Sequence, residues 1–200
     1  MFSWTTVYAG DFYVIPGMKK NFAPVPKTGQ TLCYDAEGNP IGCSGTGQDG
    51  DHRKGVAWPD PRFKDNGDGT VTDNLTGLIW LKDSTDMGSM TWTGGLAGPG
   101  ALAACNGLAD GSCGLEDGSE AGNWRLPNIR ELYSLVDISQ YSPALPDGHP
   151  FIGFLHDIYW SSSTFAGNPR NAWRVIFSSG SVGYHDKTLY YYVRCVRSGR

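Results

Sequence analysis

Two hundred residues are enough chain to bury one real core and little more. With 16 basic against 20 acidic residues, a net charge of −4, a whole-surface attraction to nucleic acid or to an anionic membrane is excluded. Glycine, at 28 residues, runs at about twice the usual share of roughly 7%, yet 7 Trp, 10 Tyr and 8 Phe supply large apolar bodies that disordered chains lack, so the chain reads as folded, loop-rich and aromatic-rich.

Val7-Tyr8-Ala9 before Gly10 has the residue types of a secretory cleavage site, but too few residues precede it for a charged start plus an apolar segment. Residues 1–23 therefore read either as the remnant of a longer leader or as an arm that resembles one by accident, and Phe12 to Ile15 before Pro16 reads as a first strand. No apolar run approaches the roughly 20 residues of a transmembrane helix. Residues 24–62 show no sustained period and predict a long surface excursion. Cys33 and Cys43 bracket a Gly38-Asn39-Pro40 turn, and Cys105 and Cys113 bracket an Asp110-Gly111-Ser112 turn. These spacings predict the disulfides Cys33–Cys43 and Cys105–Cys113, against the alternative of free thiols in a reducing compartment. Cys195, inside a Val193 to Val196 strand, is left over as a buried thiol. The pairing implies an exported protein of the cell surface or periplasm. No C-x-x-C occurs and the four histidines complete no zinc-ligand spacing, so no metal is expected.

Asp65-Asn66-Gly67-Asp68-Gly69 is a turn cluster, followed by Thr70 to Thr72 and Leu78 to Leu81 in the grammar of a hairpin; the acids lack the spacing of an EF-hand loop. Ala101 to Ala109 predicts a short helix. A second helix starts at Asn128, which caps it with Glu131 completing a capping box. From Ile158 onward the pattern turns to strands, with Trp173, Val175 and Phe177 alternating against Arg174, Ile176 and Ser178. Two helices and at least six short strands predict an α+β class, mostly antiparallel and loop-rich.

Catalytic signatures are missing. Gly45 to Gly50 matches G-x-G-x-x-G without the preceding apolar strand of a dinucleotide site, and no P-loop, nucleophile elbow or zincin motif occurs. The expectation is a protein that is not an enzyme and that uses no cofactor.

Gly122-Asn123-Trp124-Arg125-Leu126-Pro127-Asn128, with Asp65 to Asp83, Tyr159-Trp160-Ser161-Ser162 and Tyr192 to Arg197, resembles the bacterial family typified by the C-terminal domain of the Lcl collagen-like adhesin. The resemblance covers residues 24 to 197. It implies a C-type lectin fold, related in pattern to formylglycine-generating enzymes, and a binding role toward glycans or other surface ligands. Those enzymes use a pair of late cysteines, whereas only Cys195 stands in that part of this chain. An oxidase of that kind and a trimerising tail on an extended surface protein are the alternatives; no collagen repeat is present for such a tail to cap.

Residues 153–192 are rich in Tyr, Ser, Gly and Asn, the mix that makes rigid aromatic contacts and adaptable hydrogen bonds in paratopes. Sheet edges and loops use the same residues. The segment is also similar to the C-terminal ligand face of variable proteins of diversity-generating retroelements. That face is rewritten by adenine-specific mutagenesis, typically at asparagine codons, which cannot yield Lys, Glu, Gln, Met or Trp. Between Ser178 and Tyr192 only Lys187 belongs to that excluded set.

The expected organisation is an arm at 1–23 and one domain at 24–200, with a ligand face within 153–197. The expected contacts are Leu155, His156 and Asp157; Phe165, Asn168, Arg170 and Asn171; Arg174, Ile176, Ser178, Ser179 and Ser181; Gly183, Tyr184, His185 and Asp186; and Leu189, Tyr190, Tyr191 and Tyr192. Trp160, Trp173, Val175, Phe177, Val193 and Val196 are assigned to the scaffold, and the partner is a protein or glycan on another surface.

Overall fold

The computed structural model describes residues 25–96 and 98–199. The leader-like arm and the strand expected at Phe12 to Ile15 lie outside them. The surface excursion begins with a ribbon of β1 (Cys33–Tyr34) and β2 (Pro40–Ile41), closed by the Cys33–Cys43 disulfide and followed by the single-turn helix α1 (Asp49–His52). That turn starts inside the Gly45 to Gly50 motif, but the strands before it are two residues long and belong to the ribbon, unlike the strand of a dinucleotide fold.

The hairpin expected after Phe63 forms as β3 (Phe63–Asp65), β4 (Thr70–Asp73) and β5 (Leu78–Leu81). Its acids are used in the turns: Asp65 pairs with Lys82 at 2.7 Å, and Asp68 accepts from the Thr70 amide at 3.0 Å. Asp73 is fully buried and takes a two-pronged contact from Arg62 at 2.8 and 3.1 Å. Next come β6 (Ser89–Met90), a small hairpin of β7 (Gly94–Gly95) and β8 (Gly98–Pro99), and α2 (Ala101–Asn106). Helix α2 stops three residues short of the expected end, at Gly107, a residue of low helix propensity.

Helix α3 (Ile129–Tyr133) forms as its capping box predicts. Asn128 accepts from the Arg130 and Glu131 amides at 2.9 and 3.0 Å, and Glu131 accepts from the Asn128 amide at 2.8 Å. Arg125 clamps both Glu131 oxygens at 2.6 Å, while Trp124 is fully buried and donates to Ser119. The Trp-Arg-Leu-Pro-Asn segment is thus a fold-building device that fixes where α3 starts.

The C-terminal part contributes β9 (Ile158–Thr164), β10 (Asn171–Ile176), β11 (Ser181–Asp186), β12 (Tyr191–Tyr192) and β13 (Val196–Ser198). One sheet has the order β11-β10-β9-β12-β6 and a second β13-β5-β4-β3; all pairings are antiparallel except β12 with β9. The architecture is mixed and sheet-rich, with three short α-helices among the described residues where two were expected, the additional one being the single turn α1.

Because neighbours along a strand face opposite ways, Tyr159 and Trp160 enter different cores, as do Trp80 and Leu81. The first core joins Tyr159, Val175 and Phe177 to Leu132, Leu135 and Val136 at and after α3. The second gathers Trp160, Ala172, Val193, Trp124 and Leu126. Trp160, Val175, Phe177, Val193 and Val196 are buried, as expected of scaffold residues.

Two expectations are corrected. Cys105 bonds to Cys195 across 90 residues, leaving Cys113 as the free thiol; α2 and the buried segment before β13 meet inside the second core, whereas Cys113, at a positive φ of 49°, only packs against it from a partly buried position. Trp173 is half-exposed. It shares the face of Val175 and Phe177 but lies beyond the end of the first core, beside a register slip that sets Ser161, Ser162 and Ser163 of β9 opposite it.

Candidate functional site

The strand period divides the expected contacts between two sides of the β10–β11 ribbon. Arg174 pairs with Gly183, Ala172 with His185 and Ile176 with Ser181, so Arg174, Ile176, Ser181, Gly183 and His185 share one side. Trp160 and Ile158 of β9 continue it, and Tyr191 packs there with its ring 4.7 Å from that of Trp160. On the other side Trp173 pairs with Tyr184 and Asn171 with Asp186. Tyr184 stacks on Phe165 at 3.8 Å, and Trp173 meets both rings edge-on at 5.4 and 5.7 Å.

The remaining residues sit at the sheet ends. Leu155, His156 and Asp157 lie at one end with Ser178 and Ser179, where the Asp157 carbonyl accepts from the Phe177 amide and His156 Nδ1 lies 3.0 Å from Ser142 Oγ. Asn168 and Arg170 form the turn at the opposite end, the Asn168 side chain accepting from the Arg170 amide at 3.2 Å. Leu189 and Tyr190 are exposed on the turn after β11, and Tyr190 borders a cleft of about 340 Å³ with Met90, Gly94 and Pro99. Tyr192 faces the first core, its ring 5.8 Å from that of Tyr159. Asp186 is occupied with its own turn, accepting from the Thr188 amide and hydroxyl at 2.9 and 2.7 Å; these bonds hold its pKa below the ordinary carboxylate value.

The side carrying Arg174 has the more distinctive electrostatics. The guanidinium lies over Gly183 so closely that a Cβ there would stand 3.1 Å from its carbon, and only glycine leaves it that floor unhindered. Its Nη2 faces His185 Nε2 at 3.5 Å, and His185 Nδ1 is hydrogen-bonded to the Tyr191 hydroxyl. Arg174 Nε and Nη1 are closed to solvent and meet no acceptor among the described residues. Desolvation lowers the Arg174 pKa. Desolvation and then the Arg174 charge push His185 below 6.5, which keeps its ring neutral at pH 7. Burial raises the Tyr191 phenol.

Sequence reasoning did not count among the contacts Ile158, which borders this side, nor Lys187 and Trp92, which close one edge of it. Lys187 Nζ stands 4.0 Å from the centre of the Trp92 ring and donates to Thr164 at 2.8 Å. The signal for Ile158 was its same-side spacing to Trp160; nothing local joins residues 92 and 187. Among the described residues no three His, Cys, Asp or Glu side chains group as metal ligands. No helix among them is long and apolar enough to cross a membrane.

Residues 69–197 match the family model described as the Lcl C-terminal domain, well over half of the chain. The chain belongs to the Lcl C-terminal domain family. No curated protein and no solved structure matches it. As an Lcl C-terminal domain, it has within the matched span both sides of the β10–β11 ribbon, the Trp124 to Asn128 segment and the Cys105–Cys195 bond.

Proposed function

We propose that this Lcl C-terminal domain is an exported ligand-binding module of the receptor or adhesin type, built on a C-type lectin fold and without catalytic activity. The sheet side displaying Arg174, Ile176, Ser181, Gly183 and His185 is its recognition surface. One observation carries the reading: these residues are contiguous on one side of a continuous ladder and are half-buried or exposed, whereas Trp160 and Ala172 on the same side are fully buried in the second core and hold the backbone. Two disulfides agree with export, and family membership agrees with an adhesin-like role.

A diversified face extends this reading. In the stretch from Ser178 to Tyr192, Lys187 is the one residue that asparagine-codon rewriting could not produce, and it is anchored to Trp92 and Thr164. Rewritten positions would then alternate with anchored ones, as recognition over a constant backbone requires.

The test is a displayed library randomised at Arg174, Ile176, Ser181, Gly183 and His185. Most members should melt cooperatively within a few degrees of the parent, and selection against unrelated surface proteins should return binders. A library that mostly aggregates overturns the reading. The neighbouring DNA should hold a near-duplicate of the last coding stretch, differing at adenines, and a reverse transcriptase gene; their absence would remove the diversification and leave the binding role.

A further inference from the structure

The Arg174 guanidinium carries only donors, so the His185 Nε2 facing it at 3.5 Å presents a lone pair, which places the ring proton on Nδ1. Nδ1 then donates to the Tyr191 oxygen, and the Tyr191 O–H is left to donate away from His185. The opposite tautomer would set N–H against N–H. Along the row Arg174, His185, Tyr191, the outward hydrogen-bonding capacity is therefore all donor.

Charge adds a second, independent argument. Arg174 remains protonated, yet no carboxylate of the described residues is in ion-pair contact with it. Its Nε and Nη1 have neither water access nor an acceptor, so a ligand would meet this charge through Nη2. Partly desolvated cations are ordinarily paired, because removing water from an uncompensated charge is costly. Asp157, whose field reaches Tyr191, is not paired with Arg174.

We infer that Arg174 and Tyr191 together anchor a carboxylate of the ligand, and that the carboxylate is an Asp or Glu side chain of a protein partner. This rests on the recognition side proposed above. The carboxylate has acceptors only, matching a donor-only row, and supplies the missing counter-charge. A protein source is favoured by the surroundings: Ile158 and Ile176, paired with each other and both half-buried, lie next to the arginine on the sheet, offering part of the apolar border that surrounds a desolvated ion pair in protein interfaces.

Selection of a displayed random dodecapeptide library on the intact domain tests the inference. Enriched peptides should contain Asp or Glu, and replacing that residue by Asn or Gln should weaken binding at least about tenfold, as should Arg174→Gln in the domain. Arg174→Lys should retain part of the affinity, and Tyr191→Phe should cost several-fold. Thermal melting of each variant separates a weakened anchor from an unfolded domain. Enriched peptides that lack acids, or that respond to Ile176→Ser and not to Arg174→Gln, overturn the anion anchor while leaving the recognition side standing. Failure to enrich any peptide sensitive to substitutions on this side, with no Arg174-dependent glycan binding either, overturns both. Arg174-dependent binding of uronate or sialyl glycans on an array, with no peptide enriched, would keep the carboxylate and overturn the protein partner.

Discussion

Two arginines of this chain differ in what surrounds them. Arg194, just before the last strand, is fully buried; its Nη1 donates to the Leu81 and Lys82 carbonyls at 3.0 and 2.9 Å and its Nη2 to the Ile152 carbonyl at 3.2 Å. The rings of Phe151 and Phe154 lie 5.2 and 4.8 Å from its guanidinium carbon. Burial pulls its pKa down to about 10, still charged at neutral pH. Arg174 has no such set of carbonyls and no carboxylate. A guanidinium that donates three hydrogen bonds to the chain's own backbone, with only its Nε unpaired, ties distant segments together, whereas Arg174, without a carbonyl or carboxylate partner, leaves its charge uncompensated by the chain. The Arg194 region is a closure of the fold, and the Arg174 region is an open surface.

The comparison is sharpest where closure is removed. Replacing Cys105 and Cys195 together by Ala should give the largest loss, about 4–5 kcal/mol in the chain-entropy account of a loop spanning 90 residues. Removing Cys33 and Cys43, which span 10 residues, should cost about 2–3 kcal/mol. Chemical denaturation of both double variants checks the order, and an inverted order would contradict the Cys105–Cys195 pairing.

Arg194→Met should cost about 3 kcal/mol or more, because it orphans three buried carbonyls. Arg174→Gln should stay within about 1 kcal/mol of the parent, since it deletes an uncompensated charge along with its contacts. Equal losses in urea titrations of the two variants would erase the distinction between closure and surface.

A smaller effect follows pH. His149, packed beside Phe151 and Phe154, has its pKa held below 6.5 by desolvation first and by the Arg194 charge second. The unfolded chain therefore binds a proton more readily than the native one. Stability should fall as pH drops from about 6.5 toward the lowered native value, then level off. His149→Asn should flatten that slope when denaturation midpoints are compared at about pH 7.5 and about pH 5. The smallest effect belongs to the aromatic stack: Tyr184→Ala should cost about 0.5–1.5 kcal/mol by thermal melting, because the half-exposed ring is held mainly by its stacking on Phe165.

What the sequence determined by itself is local. The Asn128–Glu131 capping box, the β3–β5 hairpin with its acidic turn, and the Cys33–Cys43 bridge all depend on residues a few positions apart, whose chemistry selects one backbone path. The alternation through β10 and one residue past its end placed Val175 and Phe177 on the buried side for the same reason. Only the tertiary structure decided where that side ends, leaving Trp173 in a surface stack, because the extent of a core depends on what packs against it. It decided that Cys105 meets Cys195 and not Cys113, since proximity along the chain does not set proximity across two packed elements. It also set Tyr184 and His185 on opposite sides and gave Arg174 a glycine floor with no counter-charge. An arginine in a sequence carries no record of how many acceptors the fold will bring to it, and that number separates Arg174 from Arg194.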